Sequence, residues 1–188
     1  MSRAVFLDRD GVINRKAPEG QYVTRWEDME LLPRVAEAIA RINGAGFLVI
    51  VVSNQRCVAK GLITEAGLRS LHERMRAELA AAGARIDDIY FCPHELQEGC
   101  DCRKPAPGML LAAARAHGVD LTRSWMVGDS NLDVAAGKNA GCRTAFIGEH
   151  ATDHDPGADL AGGSLFDAAE QILKYAVTEE SCELRGCR

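Results

Sequence analysis

Apolar residues in this chain fall into short unbroken runs separated by longer, interrupted patterns. The runs are AVFL at 4–7, FLVIVV at 47–52, IDDIYF at 86–91, WMVG at 125–128 and RTAFI at 143–147. Continuous rather than alternating hydrophobicity over so few residues marks strands that are covered on both faces. Between the runs, apolar positions recur at helical spacing near 33–43, 64–82, 107–117, 131–140 and 165–176. Thr64 followed by Glu65, Pro107 ahead of GMLLAAARAHG, and glycines at 44, 83 and 118 mark the ends of these helices. Strands that alternate with crossover helices predict an α/β fold built on a doubly wound parallel sheet. Residues 149–164 read as a polar loop. The length fits a single domain over residues 1–176, with 177–188 as a C-terminal tail.

In doubly wound sheets ligands bind beyond the C-terminal strand ends, where the strand order reverses. The first run stops at Asp8-Arg9-Asp10-Gly11, two carboxylates one residue apart that repel each other in an ordinary turn. The second is followed by Ser53, Asn54 and Gln55. Arg103 and Lys104 stand just ahead of the 107–117 helix, and the fourth run leads to Asp129, with Asp133 four residues on. Taken singly, each is explained by a helix cap, a turn or a solvated charge. Taken together and in this order, they supply the carboxylate, hydroxyl and cations that phosphoryl transfer requires. A carboxylate can attack phosphorus to give an acyl phosphate. Mg²⁺, which prefers oxygen ligands, would relieve the repulsion among Asp8, Asp10 and Asp129. Asp10, placed to protonate a leaving alcohol and then to activate water, predicts hydrolysis rather than a long-lived phosphoenzyme.

Three of the seven cysteines and one histidine crowd into CPHELQEGCDC: Cys92, His94, Cys100 and Cys102, immediately before Arg103 and Lys104. Three thiolates and an imidazole match tetrahedral structural zinc with no position left for a catalytic water. The alternative is a set of free thiols. Zinc would staple the loop and so present Arg103 and Lys104 to a phosphate. Cys57, beside the candidate site, reads as an unreactive thiol with a redox-sensitive one as the alternative; Cys142 reads as core, while Cys182 and Cys187 lie in the tail with no neighbouring ligand.

Composition narrows the partners more than the fold. Apolar residues make up 47% and charged residues 26% of 188, ordinary for a globular protein. A net charge of −5 gives no reason to expect nucleic acid or an anionic membrane surface, so the expected partner is a small phosphorylated metabolite attracted locally. No run approaches the roughly 18–20 apolar residues of a membrane span, and no signal-peptide pattern precedes the first strand, so a cytoplasmic location is expected. No exposed apolar heptads are visible, which favours a monomer.

The segments FLDRDGVIN, VVSNQ, CRKPAPGM and VGDSNLD, in that order across residues 4–148, resemble the four motifs of the haloacid dehalogenase superfamily. That resemblance implies a Rossmann-like fold with Asp8 as nucleophile and metal ligand, and Asp10 as acid/base that also offers its carbonyl to the metal. It implies Ser53 as a phosphate donor, Lys104 as the phosphate clamp, Asp129 as a Mg²⁺ ligand and Asp133 as a supporting carboxylate. The stretches from Asp10 to Ser53 and from Ser53 to Lys104 are short enough to be used up by the sheet and its helices. No cap domain is expected, so the site should be open, with specificity set by loops 14–30, 55–63 and 92–103. A capless member with a zinc loop resembles the D-glycero-D-manno-heptose 1,7-bisphosphate 7-phosphatase family and is similar also to histidinol-phosphate phosphatases; LDRDGVIN and RKPAPGM favour the former. The implied activity is a Mg²⁺-dependent phosphomonoesterase with an aspartyl-phosphate intermediate that removes the 7-phosphate. Asn54, Gln55, Arg103 and Lys60 would bind substrate, a second anionic group resting on Arg103 or Lys60. Two departures stand out. Asn54-Gln55-Arg56-Cys57 replaces the usual Asn-Gln-Ser-Gly, and Ser130 stands where many members have lysine. Arg56 either offers a further cation to substrate or points to solvent.

Overall fold

Side chains of strand β1 (Arg3–Leu7) alternate between two separate cores. Val5 and Leu7 enter one, together with Val49 and Val51 of β2 (Phe47–Asn54) and Val127 of β4 (Trp125–Gly128). Ala4 and Phe6 enter the other, with Ile50, Val52 and Met126. Because both faces are apolar, the strands cannot show the alternation of a one-sided sheet, and this is why their sequences are unbroken apolar runs. Phe6 is fully buried, so Phe6→Ala would cost about 3–5 kcal/mol.

The computed structural model describes residues 1–148 and 157–184. Residues 149–156 of the expected polar loop and Cys187 of the expected tail lie outside these, as does the side chain of Cys182. Together with β3 (Asp88–Cys92), β5 (Arg143–Ile147) and β6 (Leu160–Gly162), the strands form one parallel sheet in the order β3-β2-β1-β4-β5-β6. Helices α1 (Val35–Gly44), α2 (Glu65–Ala81) and α5 (Leu165–Leu184) cover one face, and α3 (Gly108–His117) and α4 (Asn131–Ala140) the other. The local signals work as their chemistry dictates. The Thr64 hydroxyl accepts from the Gly67 N–H at 3.0 Å to open α2, and α3 ends on Gly118 at φ 61°.

Three boundaries differ from the pattern reading. β6 lies inside the expected 149–164 loop, because a three-residue edge strand is too short to leave a periodic signal. The last helix runs on to Leu184, through the boundary at 176/177 where the tail was expected to begin. Strands β2 and β3 each extend past their apolar runs, so that Ser53, Asn54 and Cys92 are strand residues, with Asn54 in register with Cys92. No helix among the described residues is long and apolar enough to cross a membrane.

Chain order reverses at β1, whose neighbours β2 and β4 lead away on opposite sides. Asp8, Ser53, Asn54 and Asp129 all sit at the C-terminal ends of these three strands. Among the described residues, the segment between Asp10 and Ser53 holds α1 and most of β2, and that between Ser53 and Lys104 holds α2 and β3.

Candidate active site

Asp8 follows β1 directly, and its backbone N–H donates to the Val127 carbonyl of β4 at 3.0 Å, which fixes it over the reversal point. Lys104 arrives from the loop before α3. Its Nζ lies 2.9 Å from Asp8 Oδ1 and 2.6 Å from Asp133 Oδ1, and it donates to the Val52 carbonyl at 2.8 Å. The three N–H groups of the ammonium therefore face three acceptors, and its side chain is only 2% exposed. Burial alone would lower the Lys104 pKa, but the charges of Asp8 and Asp133 outweigh it and raise the value. Asp8 moves the other way from most paired acids: burial, only partly offset by Lys104, pushes it up to about 6.

Asp129 follows β4, and its Oδ2 accepts from Lys16 Nζ at 2.7 Å. Its Oδ1 is buried with no hydrogen-bond partner. Burial raises the Asp129 pKa even against the Lys16 charge. Carboxylate oxygens of Asp8, Asp129 and Asp133 lie within 4.8 Å of one another. An orphaned buried oxygen in a cluster of hard donors fits a divalent cation of the Mg²⁺ kind. Gly11 makes room for it: at φ 93°, a Cβ there would stand 2.1 Å from Asp129 Oδ2. Asp133 is committed elsewhere, since its Oδ2 accepts from the Ser130 N–H at 3.1 Å and from the Ser130 hydroxyl at 2.5 Å. Ser130, one of the two departures noted above, thus caps α4 and holds Asp133 against Lys104.

Asp10 lines the same cavity but its carboxylate is held by a different set of partners. It accepts from Arg9 Nη2 at 2.9 Å on both oxygens, from Asn14 Nδ2 at 2.9 Å and from Gln55 Nε2 at 2.9 Å. Burial would raise its pKa, yet the Arg9 guanidinium and these hydrogen bonds hold it below the usual carboxylate value. Arg9 itself is fully buried, with Nη1 3.1 Å from His72 Nε2. Burial, then the Arg9 charge, lowers the His72 pKa to about 3, so this histidine is neutral and accepts from the guanidinium. Neither Arg9, Lys16 nor His72 was singled out by sequence. An arginine between two acids and a lone lysine both read as solvated charge, and nothing local in the sequence marks Arg9 as buried.

The expected substrate contacts divide. Arg103 lines a cavity of about 370 Å³, along with Asp8, Asp10, Ser53, Lys104 and Asp129, and donates to the His94 carbonyl at 3.3 Å. Asn54 also lines it, but its amide grips the Lys104 backbone from both sides, accepting from the Lys104 N–H at 3.0 Å and donating to its carbonyl at 3.1 Å. Gln55 is 1% exposed and is spent on Asp10 and on the Ser53 hydroxyl at 2.8 Å, so it orients these groups instead of reaching a ligand. Lys60 is not at the cavity wall; its ammonium sits 5.1 Å from the centroid of the Tyr22 ring. Arg56 does not point to solvent: it pairs with Glu95 at 3.0 Å, tying the 55–63 loop to the cysteine loop. Cys57 is buried, 3.4 Å from Gln55 Oε1, and burial raises its pKa, as an unreactive thiol requires.

In the cysteine loop, His94 Nδ1 lies 3.2 Å from Cys102 Sγ and 3.5 Å from Cys92 Sγ, which is 3.6 Å from Cys100 Sγ. All four ligand atoms fall within 4.8 Å of one another. Bonds of roughly 2.0–2.3 Å to a tetrahedral zinc require separations of about 3.3–3.8 Å between ligand atoms, so these residues fit the ion.

Comparison with known proteins points the same way. The HAD-hydrolase-like family model matches residues 101–168. A D-glycero-beta-D-manno-heptose-1,7-bisphosphate 7-phosphatase of Rhodopseudomonas palustris is 46% identical over 145 residues, 73% of this chain and 79% of that protein. A D-glycero-D-manno-heptose-1,7-bisphosphate 7-phosphatase of Thermosynechococcus vestitus is 45% identical across 92% of this chain and 96% of its own length. The crystal structure of a D,D-heptose 1,7-bisphosphate phosphatase from B. bronchiseptica, complexed with magnesium and phosphate, superimposes with a TM-score of 0.84 at 35% identity, covering 92% of this chain and 99% of that one.

Proposed function

Because this chain belongs to the D-glycero-D-manno-heptose 1,7-bisphosphate 7-phosphatase family of haloacid dehalogenase-like hydrolases, we propose that it is a phosphomonoesterase that removes the 7-phosphate of that sugar bisphosphate through Asp8. The observation that carries the reading is the meeting of the Asp8, Asp129 and Asp133 carboxylates with the buried Lys104 ammonium at the strand-order reversal.

Asp8 is the nucleophile. Its Oδ1 is held by Lys104 and its backbone by Val127, so the carboxylate is oriented before substrate arrives, which removes much of the entropic barrier to attack. Lys104 and the Ser53 hydroxyl offset charge on the phosphoryl oxygens. Mg²⁺ would be held by the carboxylates of Asp8 and Asp129 and the main-chain carbonyl of Asp10, and would supply further stabilisation of that charge; the magnesium and phosphate in the B. bronchiseptica protein support a Mg²⁺ site here. Asp10 carries out proton transfer. The incoming phosphate dianion raises its proton affinity, so it can protonate the leaving oxygen as the bond to phosphorus breaks. It is then an ionised base, held by Arg9, Asn14 and Gln55, that draws the proton from the water attacking the aspartyl-phosphate and so restores Asp8. Cys92, His94, Cys100 and Cys102 would hold structural zinc, and Arg103 beside them would meet the phosphate that stays on the sugar. A reaction on a biosynthetic sugar phosphate accords with a cytoplasmic location.

The test is a comparison of kcat/KM for the α and β anomers of the heptose bisphosphate, histidinol phosphate and fructose 1,6-bisphosphate. One heptose anomer is expected to lead the last two by at least roughly 100-fold, since a site built to pair a substrate's polar groups rejects ligands that leave them unpaired. Equal values across the panel would overturn the substrate assignment.

A further inference from the structure

We propose that Lys16 is an exchangeable counter-ion of the acidic cluster, held by Asp129 until a divalent cation takes that carboxylate and then released to face the anionic substrate. The inference rests on the Mg²⁺ reading above. Two lysines serve the cluster, and they are held very differently. Lys104 has an acceptor for each of its N–H groups and is 2% exposed; it has nowhere to go. Lys16 reaches Asp129 from a loop, with its side chain 58% exposed, and Asp129 Oδ2 at 2.7 Å is the acceptor that holds it. That oxygen backs onto Gly11, and the other oxygen of Asp129 is buried without a partner.

Three carboxylates against two ammonium groups leave the cluster short of positive charge, which is what keeps Lys16 in place. A divalent ion reverses that balance. An ammonium and a metal ion sharing one carboxylate repel each other at close range in a partly dry site, so the group with a solvent route is the one that leaves. Lys16 also lines the cavity on the wall made by residues 16–23, with Arg103 among its other lining residues. Once off Asp129, its ammonium is free to meet a phosphate entering between them. The charge thus passes from the protein's own acid to the ligand, and metal and anion should bind in a coupled way.

The experiment uses protein freed of Mg²⁺ with its zinc left in place, titrated with Mg²⁺ alone by calorimetry. Lys16→Met is compared with wild type and with Arg103→Gln, which removes a cavity cation that touches the His94 carbonyl and no carboxylate of the cluster. Lys16→Met should bind Mg²⁺ roughly 3- to 10-fold more tightly than wild type, and Arg103→Gln should differ by less than about twofold. Equal affinity in Lys16→Met and wild type, or equal tightening in both variants, overturns the exchange. Absence of Mg²⁺ binding in all three overturns the Mg²⁺ reading, and the inference with it. At saturating Mg²⁺, orthophosphate should bind Lys16→Met at least roughly threefold more weakly than wild type; unchanged phosphate affinity overturns release towards substrate.

Discussion

The described residues hold two clusters of ligating side chains, and they are built in opposite ways. In the carboxylate cluster, Asp8 and Asp129 follow β1 and β4 directly and Asp133 lies in the first turn of α4, so backbone register places all three. In the thiol cluster, only Cys92 belongs to a strand; His94, Cys100 and Cys102 lie in irregular chain beyond it. Sheet geometry imposes the first arrangement before any ion arrives, whereas in the second a bound zinc would hold loop residues together against their conformational entropy. The candidate reacting groups thus stand on the rigid part of the fold, and Arg103 stands on the adjustable loop, donating to the His94 carbonyl.

The largest expected effect tests whether the sheet-built cluster is the reaction centre. Asp8→Asn keeps shape and removes the attacking charge, so kcat should fall by at least about 10⁴-fold while circular dichroism stays that of the folded protein. A folded, metal-loaded Asp8→Asn protein that turned over near the wild-type rate would show that the pre-formed cluster does something else.

The next effect probes what lies beneath that cluster. His72 is 2% exposed and its pKa is lowered from 6.5 to about 3, so the folded protein refuses a proton that the unfolded chain accepts. A depressed folded-state value means that this contribution is intact above pH 6.5 and is lost as pH falls towards 3. The slope from this one residue is about 1.4 kcal/mol per pH unit in that window. His72→Gln keeps an acceptor for Arg9 and cannot titrate. Urea unfolding at pH 7, 6 and 5 should therefore show a stability that declines less steeply with acid in the variant, by about 1 kcal/mol per unit. Identical slopes would place the acid sensitivity in other groups and make the histidine an ordinary core residue.

The same contrast explains what could be read from sequence. Asp8, Ser53, Asn54 and Asp129 were legible because each interrupts or follows an apolar run, and the run itself fixes where the strand ends. The thiol cluster was legible because its ligands are local, four of them within one loop. What escaped notice depends on contacts between distant segments. Lys16 meets Asp129 across most of the chain, and His72 reaches Arg9 from the middle of α2. Gln55 looked like a ligand contact from its place beside Ser53 and Asn54 at the end of an apolar run, and only the fold shows its amide turned inward to Asp10 and Ser53. β6 was lost within a polar stretch because three edge residues carry no period, and the far half of α5 because the apolar stripe thins beyond Ala176.

The smallest effect separates the two clusters within one measurement. Arg103 and Lys104 are adjacent in sequence but are held by different things. The Arg103 guanidinium donates to the carbonyl of His94, a loop residue, so its place depends on the loop's shape. The Lys104 backbone is clasped by Asn54 of β2, and its ammonium by Asp8, Asp133 and Val52, none of which belongs to the loop. Loss of zinc in a Cys100→Ser/Cys102→Ser protein should therefore weaken binding of the sugar's remaining phosphate while leaving the chemical step nearly intact. KM for the bisphosphate should rise roughly 10-fold, in the range for lost metal-site support, and kcat should change by less than about threefold. Zinc content by elemental analysis should fall from about one equivalent to near zero in parallel. If kcat fell as far as KM rose, Lys104 would depend on the loop as much as Arg103 does, and the division between a site made by the sheet and a site made by its ion would not hold.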